Sequence, residues 1–239
     1  MSHFSRRAVL MQISAAGLSA ALPGALSAQD ATRNPFAEFE GVPWFFLTDA
    51  EARFLAAFCD VLIPQDAHAS ASQAGVVDFI DLQLATAYGK GDGLYMQGPF
   101  RSGTPEQGYQ AETTPAQLIR RFIAGALEEG QDLALFDAPR REGVVRDIAE
   151  TPQTIGGIDA KTAFDELWAL TKEGYFSDPL YGGNRDYAGW QMVGFPGAHA
   201  YYTDFVDQNV PYRAPPKGIG HIPGTNRSAS MGARNMNEG

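Results

Sequence analysis

The sequence predicts an all-α protein: an irregular bundle of five or six helices with long loops and an extended C-terminal tail. Three observations support this prediction. Apolar residues recur at spacings of three and four in several segments. Those segments begin at capping residues and end at proline or glycine. No stretch alternates apolar and polar residues, as a half-buried strand does, over more than a few positions. The 239 residues suffice for one substantial domain.

Residues 1–28 have the organisation of an export signal rather than of a folded element. Arg6 and Arg7 precede a moderately apolar run, and small residues then form a cleavage site after Ser27 or Ala28. Paired arginines after a serine resemble a twin-arginine signal. We therefore expect a periplasmic protein whose signal peptide is removed.

The alternative for this segment is a retained membrane anchor. Gln12, Gly17 and Pro23 interrupt the apolar run and make it a poor spanning helix. Export through the twin-arginine route also bears on function, since that route takes folded proteins, commonly ones that acquire a cofactor in the cytoplasm. The next question is whether this chain holds a cofactor.

An irregular lead, residues 29–47, precedes the first helix. Thr48 and Glu51 have the spacing of a capping box, and Pro64 ends the helix that they begin. Cys59 lies beside its apolar face and is expected to be a buried structural thiol. The face itself consists of Phe54, Leu55, Phe58, Val61 and Leu62.

The second helix is predicted from Val76 to Tyr88, after a loop over residues 69–74. Asp78 and Asp81 are expected on its polar side. Residues 89–113 form a long loop whose glycines have neither the dinucleotide nor the Walker spacing. The apolar stripe of the helix consists of Val76, Val77, Ile80, Leu84 and Tyr88.

Four further segments complete the predicted helical domain, residues 48–210. Thr114 and Pro115 begin a strongly amphipathic helix that Gly130 stops. A short helix is predicted over residues 140–149. The remaining predictions are a helix capped by Asp159 that ends at Gly174, a short helix at 187–193, and an extended or disordered tail at 211–239.

Residues 174–202 combine large aromatic side chains with glycines. Rings provide much burial area, and glycines let the backbone turn or approach a neighbour closely. Two interpretations stay open: the segment closes the helical core, or part of it faces a partner protein. The rings are Tyr175, Phe176, Tyr181, Tyr187, Trp190, Phe195 and Tyr201, and the glycines are Gly174, Gly182, Gly183, Gly189, Gly194 and Gly197.

Composition excludes several classes of function. A net charge of −10 argues against nucleic acid as a partner. The single cysteine cannot form an intramolecular disulfide, a C-x-x-C-H haem site or a cysteine-ligated cluster within the chain. No H-E-x-x-H or nucleophile-elbow motif occurs in the mature chain. A pair of glycosidase-like carboxylates stays possible, and His199 is either a base or, as we favour, a packing histidine.

The sequence thus carries a signal for export in the folded state but has no recognisable cofactor site of its own. We infer that it accompanies a tightly bound partner that carries the cofactor. The sequence now resembles a known family at four places: GYFSDPLYGGN at residues 174–184, GW at 189–190, GFPG at 194–197, and LIP at 62–64. On these motifs it is similar to the small subunit, subunit 3, of bacterial gluconate 2-dehydrogenase, over about residues 44–215.

The resemblance implies a three-subunit periplasmic complex, held at the cytoplasmic membrane only through its other members. Its large subunit is an FAD-dependent sugar or sugar-acid dehydrogenase, and another subunit is a multihaem cytochrome c. The small subunit is non-catalytic and supports folding and twin-arginine export of the flavoprotein. The resemblance therefore implies no catalytic, cofactor-binding or metal-binding residue in this chain, with FAD and haem c in the partner subunits.

Six residues are candidates for contact with the flavoprotein: Tyr181, Gly182, Gly183, Asn184, Arg185 and Trp190. Two other functions remain as alternatives. One is a stand-alone periplasmic enzyme that acts on a carbohydrate. The other is a scaffold whose aromatic segment docks a cytochrome c.

Overall fold

The computed structural model describes residues 36–101, 103–107, 111–200, 202–210, 212 and 214–220. Within them the chain is mostly helical, as predicted. The export-signal prediction, including Arg6 and Arg7, lies outside the described residues. The helices are α1 (Asp49–Leu62), α2 (Val76–Ala85), α3 (Ala87–Lys90), α4 (Pro115–Glu128), α5 (Ala138–Glu150), α6 (Ala160–Phe176) and α7 (Ala188–Val193), and a hairpin pairs β1 (Thr154–Ile155) with β2 (Ile158–Asp159).

Helix α1 lies at the centre and packs against α2, α4, α5 and α6. Its Phe54 and Phe58 are fully buried, as its helical spacing predicts. Phe54 meets Phe122 of α4 edge to face, with ring centroids 6.2 Å apart. Phe58 meets Phe164 of α6 in the same manner at 6.0 Å. These aromatic contacts join the three longest helices into one core. No helix in the described part of the chain is long and apolar enough to cross a membrane.

The predicted helix starts are confirmed by their capping hydrogen bonds. Thr48 and Glu51 form a complete capping box at α1. Thr114 forms a second one with Gln117, whose part the sequence analysis did not identify. Asp159 accepts the backbone N–H of Thr162 at 2.8 Å and begins α6.

The prediction of one helix from Val76 to Tyr88 is wrong. Helix α2 ends at Ala85, Thr86 is extended, and α3 follows as a separate turn. The chain folds back there because Gly89 packs directly on α2: a Cβ at Gly89 would lie 2.0 Å from the carbonyl oxygen of Leu84. Tyr88 is therefore partly exposed instead of continuing the apolar stripe.

Two other boundaries differ from the predictions. Helix α5 begins at Ala138, two residues early, because Asp137 caps it by accepting the N–H of Arg140 at 3.0 Å. Helix α6 passes through Gly174 to Phe176, since Gly174 provides space for the Phe79 ring instead of stopping the helix. The hairpin was not predicted, because strands of two residues are too short to show an alternation.

Asp78 and Asp81, predicted on the polar side of the second helix, do not lie at the surface. Asp81 is fully buried, and Asp78 is nearly so. The Asp81 carboxylate accepts the backbone N–H groups of Phe45, Phe46 and Leu47, each at 2.9 Å. This carboxylate satisfies three main-chain donors and fastens the lead segment to α2.

Candidate docking surface

The chain after α6 turns twice before α7 begins. A 3-10 helix, Pro179–Tyr181, is capped by Asp178, whose carboxylate accepts the N–H of Leu180 at 2.9 Å. The other oxygen of Asp178 accepts the N–H of Ile219 at 2.6 Å. Asp178 therefore joins this segment to the backbone of a residue 41 positions further along the chain.

The Asn184 side chain joins two parts of this segment by hydrogen bonds. The residue is fully buried and left-handed, with φ 49°, a conformation that asparagine adopts more readily than most residues. Its Nδ2 donates to the carbonyl of Ser177, and its Oδ1 accepts the N–H of Gly189, both at 2.8 Å. The amide thereby ties the end of α6 to the start of α7.

Gly183 allows a backbone-to-backbone contact with the last turns of α6. A Cβ at this position would lie 2.0 Å from the carbonyl oxygen of Gly174. The preceding Gly182 is buried and has φ +103°, which disfavours any other residue. Both glycines are required for the shape of the segment, and neither presents a side chain to a partner.

Trp190 forms the centre of a small second core. It is 6% exposed, and its Nε1 donates to the carbonyl of Phe176 at 2.7 Å. The ring of Tyr187 stacks on it with centroids 5.5 Å apart. The Tyr187 hydroxyl accepts the N–H of Gly218 at 3.1 Å, which brings the chain after residue 216 onto this core.

The backbone of Arg185 is held by a hydrogen bond, and its side chain extends to the surface. Its backbone N–H donates to the carbonyl of Ala74 at 2.9 Å, and its guanidinium pairs with Asp78 at 2.6 Å. The side chain is 42% exposed and stands at the edge of a cleft of about 270 Å³. The cleft is lined by Glu38, Phe39, Val42, Trp44, Ser72, Gln73, Asp78 and Arg185.

Large apolar side chains are exposed around the small core. Phe195 is 47% exposed although its ring packs edge to face on Trp190, with centroids 5.0 Å apart. Val193 is 59% exposed at the end of α7. We use the term apolar face for Phe176, Tyr181, Met192, Val193 and Phe195, all of which are exposed.

The first interpretation of the aromatic segment holds for its inner rings, which close the fold, whereas its outer rings reach solvent. Contact of these outer rings with a partner protein stays a prediction. Of the six candidate contact residues, only Tyr181 and Arg185 are exposed. Gly182, Gly183, Asn184 and Trp190 are buried within the chain itself and shape the surface from beneath.

Met192 and Val193 belong to the apolar face but were not predicted. A helix of six residues is too short for its exposed side to be recognised from spacing. Phe176 and Phe195 were recognised as aromatic, but exposure depends on contacts far along the chain.

Cys59 and His199 both have structural partners. Burial raises the pKa of the Cys59 thiol to about 12, and Thr171 lies within hydrogen-bond distance at 3.3 Å. The thiol is buried, as predicted. His199 contacts the hydroxyl of Tyr212 at 3.1 Å and the carbonyl of Pro215 at 3.3 Å, which fits a packing histidine.

Burial also raises the pKa of Asp60, although hydrogen bonds from Ser72 oppose the shift. Its carboxylate accepts the N–H and the hydroxyl of Ser72, both at 2.8 Å, and so fastens the loop at 69–74 to α1. The described residues contain no group of three or more His, Cys, Asp or Glu side chains placed to hold a metal ion.

Comparison with known proteins gives one family. The family model described as gluconate 2-dehydrogenase subunit 3 matches residues 49–197, from the first residue of α1 to the glycine that follows the apolar face. No curated protein and no solved structure matches the chain.

Proposed function

The chain belongs to the gluconate 2-dehydrogenase subunit 3 family, and from this premise we propose that it is the non-catalytic small subunit of a periplasmic dehydrogenase complex. In this proposal the large subunit carries FAD and oxidises a sugar or sugar acid. A multihaem cytochrome c subunit receives the electrons, and the complex associates with the cytoplasmic membrane through its other members.

The apolar face is the observation that carries the binding part of the proposal. A monomeric soluble protein rarely exposes a concentrated set of large apolar side chains unless they meet a partner. Here Met192, Val193 and Phe195 are exposed within four positions of the chain, and the Phe195 ring packs on Trp190. The apolar face lies within the residues that the family model matches. We therefore expect it to bind the kind of partner that members of this family share.

The rigidity of this region also favours binding. Side-chain hydrogen bonds join Asn184, Trp190 and Asp178 to backbone groups 5, 14 and 41 residues away along the chain. A surface that is already ordered loses less conformational entropy when a partner binds it. We therefore expect the small subunit to present this face without rearrangement.

The proposal assigns export of the flavoprotein to residues 1–28. A partner without its own signal can cross the membrane only if it is folded and bound to this chain first. Arg6 and Arg7 supply the paired arginines that the twin-arginine route reads.

Replacement of both arginines, Arg6→Lys with Arg7→Lys, tests the carrier role. Cells that express the complex are fractionated, and flavin-linked dehydrogenase activity is measured in periplasm and cytoplasm. The double variant should leave the flavoprotein in the cytoplasm. A matched control, Arg33→Lys, changes an arginine beyond the signal and should leave periplasmic activity unaltered. Periplasmic flavoprotein in the double variant would contradict the carrier role.

A further inference from the structure

A loop over residues 198–216 leaves the small core and returns to it at one point. Lys217 donates its N–H to the carbonyl of Pro196 at 3.1 Å and accepts the N–H of Ala198 at 2.6 Å. Gly197 and Lys217 form a parallel bridge at the same place. The base of the loop is thus held by main-chain hydrogen bonds on the Trp190 core.

The described aromatic residues of this loop pack on one another. The ring of Tyr212 lies 4.8 Å from Phe205, 5.0 Å from Tyr202 and 5.3 Å from His199, between centroids. Every ring contact that the structure gives for these four side chains lies within the loop. The loop therefore has a small aromatic cluster of its own.

The tip of the loop is apolar and acidic. Phe205 is 43% exposed, Val206 is 62% exposed and Val210 is 52% exposed. Asp204 and Asp207 flank Phe205 and Val206 in the sequence and are exposed as well. Residues 202–210 contain no lysine or arginine. Apolar side chains with carboxylates on both sides are complementary to an apolar cleft with a basic rim.

The loop begins directly after the last residue of the family match, which ends at 197. The apolar face lies within the match, whereas the loop lies beyond it. An exposed segment outside the part that the family model matches is suited to distinguish one partner from another, because it adds contacts that only a complementary surface accepts.

Resting on the proposed function, we infer that the loop 198–216 is a docking arm by which this chain selects its own dehydrogenase subunit. Phe205 and Val206 enter an apolar cleft on that flavoprotein, and Asp204 and Asp207 pair with lysine or arginine side chains at its rim. The apolar face supplies the general contact, and the arm supplies the choice of partner.

Two other occupants fit the tip less well. An anionic membrane would repel Asp204 and Asp207, and the tip has no basic side chain to offset this repulsion. A second copy of the chain, placed tip to tip, would bring the same carboxylates together. A basic-rimmed protein cleft satisfies both the apolar and the charged groups.

The test uses affinity-tagged full-length chain expressed in cells that make the complex, with bound FAD per mole of chain as the readout. Phe205→Ser with Val206→Ser should lower bound FAD about tenfold, because exposed apolar anchors at interface centres dominate binding. Asp204→Lys with Asp207→Lys should lower it by a similar factor through reversed charge. The control Leu135→Ser removes another large apolar side chain, 74% exposed on the helical domain, and should leave bound FAD unchanged.

The outcomes separate the two proposals. A wild-type chain that brings no FAD contradicts the proposed function and the docking arm with it. Wild-type binding with both double variants unaltered contradicts only the docking arm. If the double variants keep their FAD but lose binding to phosphatidylglycerol vesicles, the tip binds a membrane instead. If they keep their FAD but lose a homodimer measured by light scattering, the tip binds a second copy of the chain instead. Near-identical thermal unfolding curves for all chains confirm that the variants fold.

Discussion

The helical core and the small core around Trp190 use aromatic side chains in opposite ways. In the helical core, Phe54, Phe58 and Phe122 are fully buried and contact only the interior. In the small core, Trp190 is buried but Phe195 beside it is half exposed. The first set stabilises the fold, whereas part of the second set also meets solvent, where the proposed function places a partner.

Anchoring differs between the regions as well. The helical core depends on apolar burial at helical spacing, so its geometry follows from local sequence. The small core depends on polar side chains: the buried Asn184 and the half-buried Asp178 bind backbone groups 7 and 41 residues away along the chain. Five predictions test this comparison, and they follow in order of expected size.

Thiol reactivity should differ most between the regions. Cys59 lies in the helical core with its pKa raised to about 12, whereas Phe195→Cys would place a thiol at an exposed site of ordinary pKa. At pH 8 the thiolate fractions differ roughly a thousandfold. We expect Ellman's reagent to modify the introduced thiol rapidly and Cys59 only after denaturation. Rapid modification of Cys59 in the native wild-type chain would contradict its burial.

The same shift makes stability depend on alkaline pH. Because the folded pKa of Cys59 lies above its ordinary value of 9.0, its protonated thiol favours the folded state fully below pH 9. This contribution is lost as pH rises from about 9 towards 12. In urea unfolding, Cys59→Ala should show a shallower decline with pH over this range than the wild type.

Replacement of one aromatic ring in each core by alanine should lower the free energy of unfolding by different amounts. Phe58→Ala should lower the free energy of unfolding by about 3–5 kcal/mol, because the ring is fully buried and leaves a cavity. Phe195→Ala should cost less than about 1 kcal/mol, since nearly half of its surface already meets water. Urea denaturation of the isolated chain measures both. Equal costs would show that Phe195 belongs to the core rather than to a surface.

Removal of the Asn184 side chain tests the polar anchoring of the small core. Asn184→Ala should cost about 2–4 kcal/mol, because the Ser177 carbonyl and the Gly189 N–H both lose a buried partner. Asn184→Gly tolerates the left-handed backbone but also lacks the amide, so it should be destabilised nearly as much. If glycine restored wild-type stability, the backbone conformation rather than the hydrogen bonds would be the important property.

The smallest effect is expected at the surface ion pair. Arg185→Ala should lower the free energy of unfolding by about 1 kcal/mol, since the guanidinium is partly exposed while Asp78 is largely buried. Arg185→Gln keeps much of the side-chain length without its charge and separates packing from electrostatics. A cost above that of Asn184→Ala would reverse the order proposed for the small core.

Local interactions account for what could be predicted from sequence. Thr48, Thr114 and Asp159 begin their helices through hydrogen bonds three residues away, so their effect is visible in a short stretch. The break after Ala85 was missed because it depends on a glycine that packs on another helix turn. Helix existence follows from spacing, whereas helix ends follow from close approaches.

The candidate surface was less predictable for the same reason. Asp81 has three backbone partners that lie 34 to 36 residues earlier, which no local pattern reveals. The motif around Asn184 was the basis for predicting a contact surface, but the residues of that motif that are most distinctive in sequence are mostly buried. Their role is to shape the segment, and less distinctive neighbours such as Val193 form its exposed side.

The central claim is that this chain binds a cofactor-bearing dehydrogenase as its small subunit. The most direct measurement is the visible absorption spectrum of the affinity-purified full-length chain, extracted from native membranes, together with the mass of each accompanying subunit. The account predicts flavin and c-type haem bands that remain with the dehydrogenase and cytochrome subunits when the complex is dissociated. A colourless chain that purifies alone, or an isolated chain that oxidises a sugar unaided, would contradict it.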